Sequence, residues 1–412
     1  MIASFRFFHP IALALSALLL LAPEWSRAGS DALVRSGLKE WTFLTYLNGN
    51  NNLDPYGGIN VNQMETVGST AQVNVVVQWA SESAKSARRL YITRDTDRRK
   101  VTSPVLQELK GLDMGDWRNL VEFIRWGVEQ YPAKRYFVNI WSHGTGWREP
   151  EMQQVFETGV SPFDISPDDL SGNAITTRQL GMAMTEASRI IGRKIDIYGS
   201  DACLMGMLEI AAEMSDSVEY FIGSQATEPG DGWPYQAFLS RWTAKPDIDA
   251  ATVSKLLART YIETYSGPDG PKKDATLSAF DLKNISPVTT SLRAFSTTLQ
   301  DVVRQSRKEV LRSARSSLQF TLTDYVDLGD FLAHLRNSAA SAQLEAHSAR
   351  LREALSSFIV ANQATPRFQR ASGVSIWIPT NRDLWDRFGR EYERLRFHAD
   401  TGWGTTLRSL AQ

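Results

Sequence analysis

Lys-Ile-Asp-Ile-Tyr-Gly-Ser-Asp-Ala-Cys, residues 194–203, decides the fold. Lys194 to Gly199 (KIDIYG) reads as a β-strand. It runs without a break into Ser200-Asp201-Ala202-Cys203, after which Leu204 to Met214 reads as a helix. The same arrangement stands upstream, where Arg135 to Trp141 (RYFVNIW) is a strand that enters Ser142-His143-Gly144-Thr145-Gly146-Trp147. Between the two, Thr177 to Ile191 has helical spacing, with Thr176 or Thr177 as its cap. Strand, helix, strand, helix at this spacing means βαβ units and a parallel sheet, so the predicted class is α/β. Side chains that do chemistry in such sheets sit beyond the carboxyl ends of the strands. His143 and Cys203 both do.

Working outward, Trp41 to Leu47 and Val73 to Trp79 (VNVVVQW) are further strands, the second apolar enough to be buried on both faces. Asn48 to Gly58 (NGNNNLDPYGG) is dense in turn formers, and Asp116 to Gln130 has helical spacing ended by Pro132. Arg89 to Thr93 and Val218 to Ser224 complete the strands of this half. Beyond about Arg241 long helical patterns dominate, at Ala250 to Tyr265, Ile285 to Arg304 and Leu344 to Asn362. Strands are predicted at Thr276 to Leu282 and Gly373 to Ile378. The expected organisation is a core over 29–245 and a C-terminal α+β region over 246–412 that extends or packs on it.

The chain has 412 residues, with 45 Lys+Arg against 46 Asp+Glu and a formal charge of −1, which gives no electrostatic footprint for nucleic acid. Its first 28 residues read as a secretory signal peptide. Arg6 is the positive n-region, Ile11 to Ala22 an apolar run broken only by Ser16, and Ser26-Arg27-Ala28 the cleavage site. That run is short of the roughly twenty apolar residues a membrane span needs, so the reading is an exported protein, periplasmic or extracellular, that does not span the membrane once the signal is removed. The chain has one cysteine, Cys203, which excludes an internal disulfide. A lone thiol in an oxidising compartment is either buried or used.

A cysteine beside a histidine is an activated nucleophile, because the imidazole lowers the thiol pKa and shuttles its proton. Of the five histidines, His143 alone follows a buried strand in a glycine-rich turn, where Gly144 and Gly146 let a backbone N–H approach a developing oxyanion. There is no G-x-S-x-G elbow, no H-E-x-x-H and no Walker loop. Spacing alone leaves two readings open: Cys–His hydrolysis, or a structural cysteine beside a turn histidine. A catalytically silent binding protein on the same scaffold and a transpeptidase also stay open.

The strings W-S-H-G-T-G-W at 141–147 and D-A-C-L-M-G at 201–206 resemble the histidine and cysteine motifs of the clostripain-like cysteine peptidases, relatives of caspases, gingipains and legumains. Leu47 to Asp54, Pro229 to Tyr235 (PGDGWPY), Tyr325 to Leu328 and Gly373 to Ile376 extend the resemblance over nearly all of the mature chain. It implies a caspase-like sheet flanked by helices, and an endopeptidase of protein or peptide substrates cut after Arg and also Lys. By the same resemblance Cys203 is the nucleophile, His143 protonates the leaving amine, and the Gly144 and Cys203 amides hold the oxyanion. Asp201 and Asp231 match the acidic positions of the primary specificity pocket, and a buried cationic side chain does need a carboxylate partner. Relatives undergo self-cleavage between the two motifs, for which Arg148 and Arg178 are the accessible basic residues. No cofactor is required. Calcium acts in part of the family as activator or stabiliser, and the loops 48–54 and 164–169 are its candidate sites, although Asn50 stands where relatives often have Asp.

Overall fold

The computed structural model describes residues 37–148, 164–268, 270–338 and 341–412. The predicted signal peptide lies outside them. Strands run over β1 Lys39–Gly49, β2 Val73–Ser81, β3 Ser86–Tyr91, β4 Val105–Lys110, β5 Ala133–Trp141, β6 Ile165–Asp168 and β7 Asn173–Ile175. They continue with β8 Ile195–Asp201, β9 Val218–Gly223, β10 Thr276–Asp281, β11 Tyr325–Asp327, β12 Ile359–Ala364 and β13 Ser375–Trp377. Nine of them form one sheet in the order β12-β10-β9-β8-β5-β1-β2-β3-β4. The five central strands, β9 to β2, are mutually parallel. The strands added at either edge are antiparallel. β10 and β12, both from beyond residue 245, thus extend the sheet begun by the N-terminal half.

Alternate side chains of the central strands feed two cores, which is why these strands read as nearly continuous apolar runs. Phe43 and Phe137, 4.8 Å apart between ring centroids, pack with Trp233, Phe238 and Trp242 on one face. Their chain neighbours Leu44 and Val138 belong to the core on the other face. That second core is covered by the helices Trp117–Gln130, Thr177–Ile191, Leu208–Met214 and Ile285–Ser316. The Thr177–Ile191 helix is capped by Thr176 in a capping box with Gln179.

Three expectations change. The helix after Cys203 starts at Leu208, not Leu204. Leu204 is held at φ +65°, and Gly206 is pinned by its N–H to Ser224 O at 2.7 Å and its carbonyl to Ser375 N at 2.9 Å. The turn-former stretch at 48–58 is not one loop: Asn48 and Gly49 end β1, the loop lasts only to Leu53, and a helix, Asp54–Glu65, begins there with proline in its first turn, where the missing N–H costs nothing. The predicted helix 344–362 stops at Phe358, and the β-branched pair Ile359-Val360 opens β12, paired with β10.

Candidate active site

Register builds the site. Across β5 and β8 the paired residues are Trp141 and Asp201, and across β1 and β5 they are Leu47 and Trp141. β5 and β8 end in this row while β1 runs two residues further, to Gly49, and Ser142 N–H still donates to Asp201 O at 3.2 Å beyond it. Two residues past that row, His143 and Cys203 leave the sheet side by side. Both line a cavity of about 250 Å³ with Leu53, Trp141, Asp201, Glu228 and Gly230.

The two strand ends approach so closely that a Cβ on Gly144 would lie 2.7 Å from Cys203 O and 3.0 Å from Met205 Sδ. Only glycine fits. Leu204, buried and left-handed, carries strain on the residue after the thiol, a cost of about 1–2 kcal/mol for a non-glycine residue. The amides of Gly144 and Cys203 donate to no backbone acceptor of the surrounding turns among the described residues.

His143 is held by Asn52, whose Oδ1 lies 2.5 Å from Nε2. An acceptor there selects the Nε2–H tautomer and leaves the Nδ1 lone pair open. Burial pushes His143 down to about 4. Burial also pushes the Cys203 thiol up to about 11, with the Asp201 carboxyl adding to the rise. With burial holding the thiol up and the imidazole down, both groups are neutral near pH 7 in the free site. Glu228 N–H donates to Cys203 Sγ at 3.2 Å.

Asp201 is buried behind the thiol. Its Oδ2 accepts from Tyr235 OH at 2.6 Å and Trp233 N–H at 3.1 Å, and burial pushes its carboxyl up to about 6. Gly232, at φ +69°, brings the glycine-rich loop against it, where a Cβ would sit 3.2 Å from Asp201 Oδ2 and 2.6 Å from Asn60 Oδ1. Asp231 is not brought into the cavity. The turn closed by Gly232 N–H on Pro229 O sends its side chain outward to an exposed ion pair with Lys273 at 2.9 Å.

Arg148 is likewise not accessible. It is buried in an ion pair with Asp324 at 2.6 Å, its guanidinium 4.5 Å from the Phe388 ring. Arg178 is half exposed but sits in the capped first turn of Thr177–Ile191. The two candidate calcium loops are hydrogen-bonded to each other. Asp168 Oδ2 accepts from Asn50 Nδ2 and Met114 N–H, and Oδ1 from Leu170 and Ser171 N–H. Asn48 and Asn51 donate to Pro167 O. With its oxygens so engaged Asp168 does not fit a calcium cage, and no group of three His, Cys, Asp or Glu converges among the described residues.

Residue-by-residue reading missed Asn52 and Glu228. Asn52 lay inside a stretch read for turns, and Glu228 one residue before the glycine-rich loop. Only adjacency in space marks either.

Residues 45–409 match the model of the clostripain family. Clostripain of Hathewaya histolytica is 25% identical over 240 residues, covering 52% of this chain and 44% of that protein, so the chain spans under half the length of this curated relative. In structure it is similar to a secreted cysteine protease from Bacteroides thetaiotaomicron bound to an irreversible peptide inhibitor, with a TM-score of 0.66 and 19% identity over 89% of this chain and 99% of that one. It is also similar to an inactive protease zymogen from Parabacteroides distasonis, with a TM-score of 0.65 and 18% identity over 88% and 98%. These two likenesses carry the caspase-like α/β fold. The family match, running from the first strand to the last helix and through both strand-end motifs, carries the rest: the chain belongs to the clostripain family.

Proposed function

We propose that this is an exported cysteine endopeptidase that hydrolyses protein and peptide substrates after Arg and also Lys, through a Cys203–His143 dyad. The observation that carries the reading is the Trp141–Asp201 register, which puts thiol and imidazole on one cavity with a buried carboxylate behind them.

Starting from neutral groups, the Cys203 proton passes to His143 Nδ1 as sulfur attacks the scissile carbonyl carbon. The C–S bond forms and the carbonyl oxygen takes the negative charge, held by the Gly144 and Cys203 N–H groups. Collapse breaks the C–N bond, and His143 gives the proton to the leaving amine. Water then attacks the thioester, His143 takes one of its protons, and the thiol departs with that proton restored. Asn52 keeps the imidazole in the tautomer this sequence needs. No cofactor enters.

Asp201 supplies the charge that selects a basic side chain, while Asp231, engaged by Lys273 at the rim, adds only screened attraction. Self-cleavage falls after Arg178 rather than Arg148, because Arg148 cannot reach a cavity without breaking a buried ion pair. The leader at 1–28 directs export to the periplasm or beyond; no helix among the described residues is long and apolar enough to cross a membrane.

An arginyl chloromethyl ketone tests the reading. It should label Cys203 once, as read by intact mass and peptide mapping, and Asp201→Asn should slow labelling. Equal labelling by a leucyl analogue would remove the basic specificity, and labelling on a residue other than Cys203 would remove the nucleophile.

A further inference from the structure

The cavity carries a second buried carboxyl that the mechanism above does not use. Glu228 lines it, and both of its carboxyl oxygens are buried without a hydrogen-bond donor among the described residues. It shares that cavity wall with the Asp201 carboxyl; burial raises the Glu228 carboxyl, and the neighbouring Asp201 carboxyl raises it further. Asp201 Oδ2 is already taken by Tyr235 and Trp233.

Two carboxylates are acceptors only, so they can meet only around a proton. The titratable groups around the pair are the Cys203 thiol just past the end of β8, the His143 imidazole on the same cavity, which burial keeps neutral near pH 7, Tyr235 at the start of Tyr235–Thr243, and Tyr261 and Tyr265 on the helix Ala250–Ser266. Asp231 acts on Tyr265 from the turn but is itself neutralised by Lys273. None of the groups acting on the pair is a cation. Two buried acids therefore share one cavity wall with nothing positive beside them.

Resting on the reading of this chain as a peptidase for basic residues, we propose that Glu228 is a specificity-determining residue that shares one proton with Asp201 in the empty cavity and, with Asp201, receives the guanidinium of an arginine substrate. As the guanidinium enters, the shared proton leaves to solvent; no covalent bond changes. The wall passes from one net negative charge to two, against one positive charge on the substrate. Two carboxylates match the fork of a guanidinium better than the single point of an ammonium, so Glu228 sets the preference for Arg over Lys.

The test uses the purified full chain and Glu228→Gln on matched peptides ending in Arg, Lys or Leu. Alkylation of Cys203 by uncharged iodoacetamide runs in parallel. Benzamidine, an arginine mimic, is bound calorimetrically near pH 6 in two buffers of different ionisation enthalpy. Expected are a fall of about tenfold in kcat/KM on Arg peptides, a smaller fall on Lys, an unchanged alkylation rate, and proton release on benzamidine binding that the variant loses. An unchanged Arg-to-Lys ratio overturns the proposal. So does a fall in alkylation parallel to turnover, because Glu228 would then act through its N–H contact to sulfur. If Glu228→Gln does not fold, Glu228→Asp keeps the acid but shortens its reach; a shifted ratio with proton release retained supports the proposal, and an unaltered ratio overturns it. A wild type that cuts Leu peptides but neither basic series overturns the basic-residue reading itself, and with it this proposal.

Discussion

At the residue scale the site depends on a few contacts that no side chain makes alone. Asn52 fixes the His143 tautomer through one hydrogen bond, and such a bond is worth about 1 kcal/mol, or roughly fivefold in rate. Asn52→Ala should lower kcat by that amount and leave KM nearly unchanged; a change in KM alone would mean that Asn52 touches substrate instead. Gly144→Ala should do more. Its new Cβ meets Cys203 O, and relieving such a clash costs about 1–3 kcal/mol and displaces the thiol. The expected result is a lowered Tm with turnover abolished, and wild-type kinetics in this variant would show that the strand ends can separate freely.

At the element scale the helices on the second core set the strand ends in place. Thr176 closes a capping box on Thr177–Ile191, so Thr176→Ala should cost about 1 kcal/mol in denaturant unfolding with kcat/KM unaltered. Much of this scale was legible in the sequence, because apolar strand runs and a capped helix announce themselves locally. Lys194–Gly199 and Arg135–Trp141 read as strands from their residues alone, and Thr177–Ile191 as a helix from its cap and spacing. What was not legible came from packing between distant segments. The 204–207 stretch has helix-forming Leu204, Met205 and Met207 around Gly206, yet contacts from Gly206 to Ser224 and Ser375 hold it as a loop. Ile359–Ala364 becomes a strand only because β10 offers it an edge. In the site, His143 and Cys203 were legible because each follows a strand directly. The outward course of Asp231 was not legible, because a sequence position in a glycine-rich loop does not say which way the side chain leaves the turn.

At the scale of the whole molecule, buried titratable groups tie stability to pH. Burial raises the carboxyls of Asp201 to about 6 and Glu209 to about 7, so the folded chain holds protons there that the unfolded chain has released. That lowers stability as pH rises from about 4 towards 7. His143, lowered to about 4, acts oppositely and loses stability as pH falls through 6.5. A single variant separates the two. Glu209 Oε1 accepts from Trp377 N–H and Tyr392 OH, and a glutamine can accept both. Glu209→Gln should therefore match wild type in Tm near pH 5 and exceed it near pH 8; a constant difference across that range would show that Glu209 does not titrate in the folded state. The central claim is that sulfur and imidazole at two adjacent strand ends cut peptides beside a basic-residue pocket. The measurement that bears on it most directly is hydrolysis of matched fluorogenic peptides ending in Arg, Lys, Asp or Leu, by wild type and by Cys203→Ala. The expected result is turnover of Arg and Lys peptides that vanishes in the variant. Turnover confined to Asp or Leu peptides would contradict the pocket, and turnover that survives in Cys203→Ala would contradict the nucleophile.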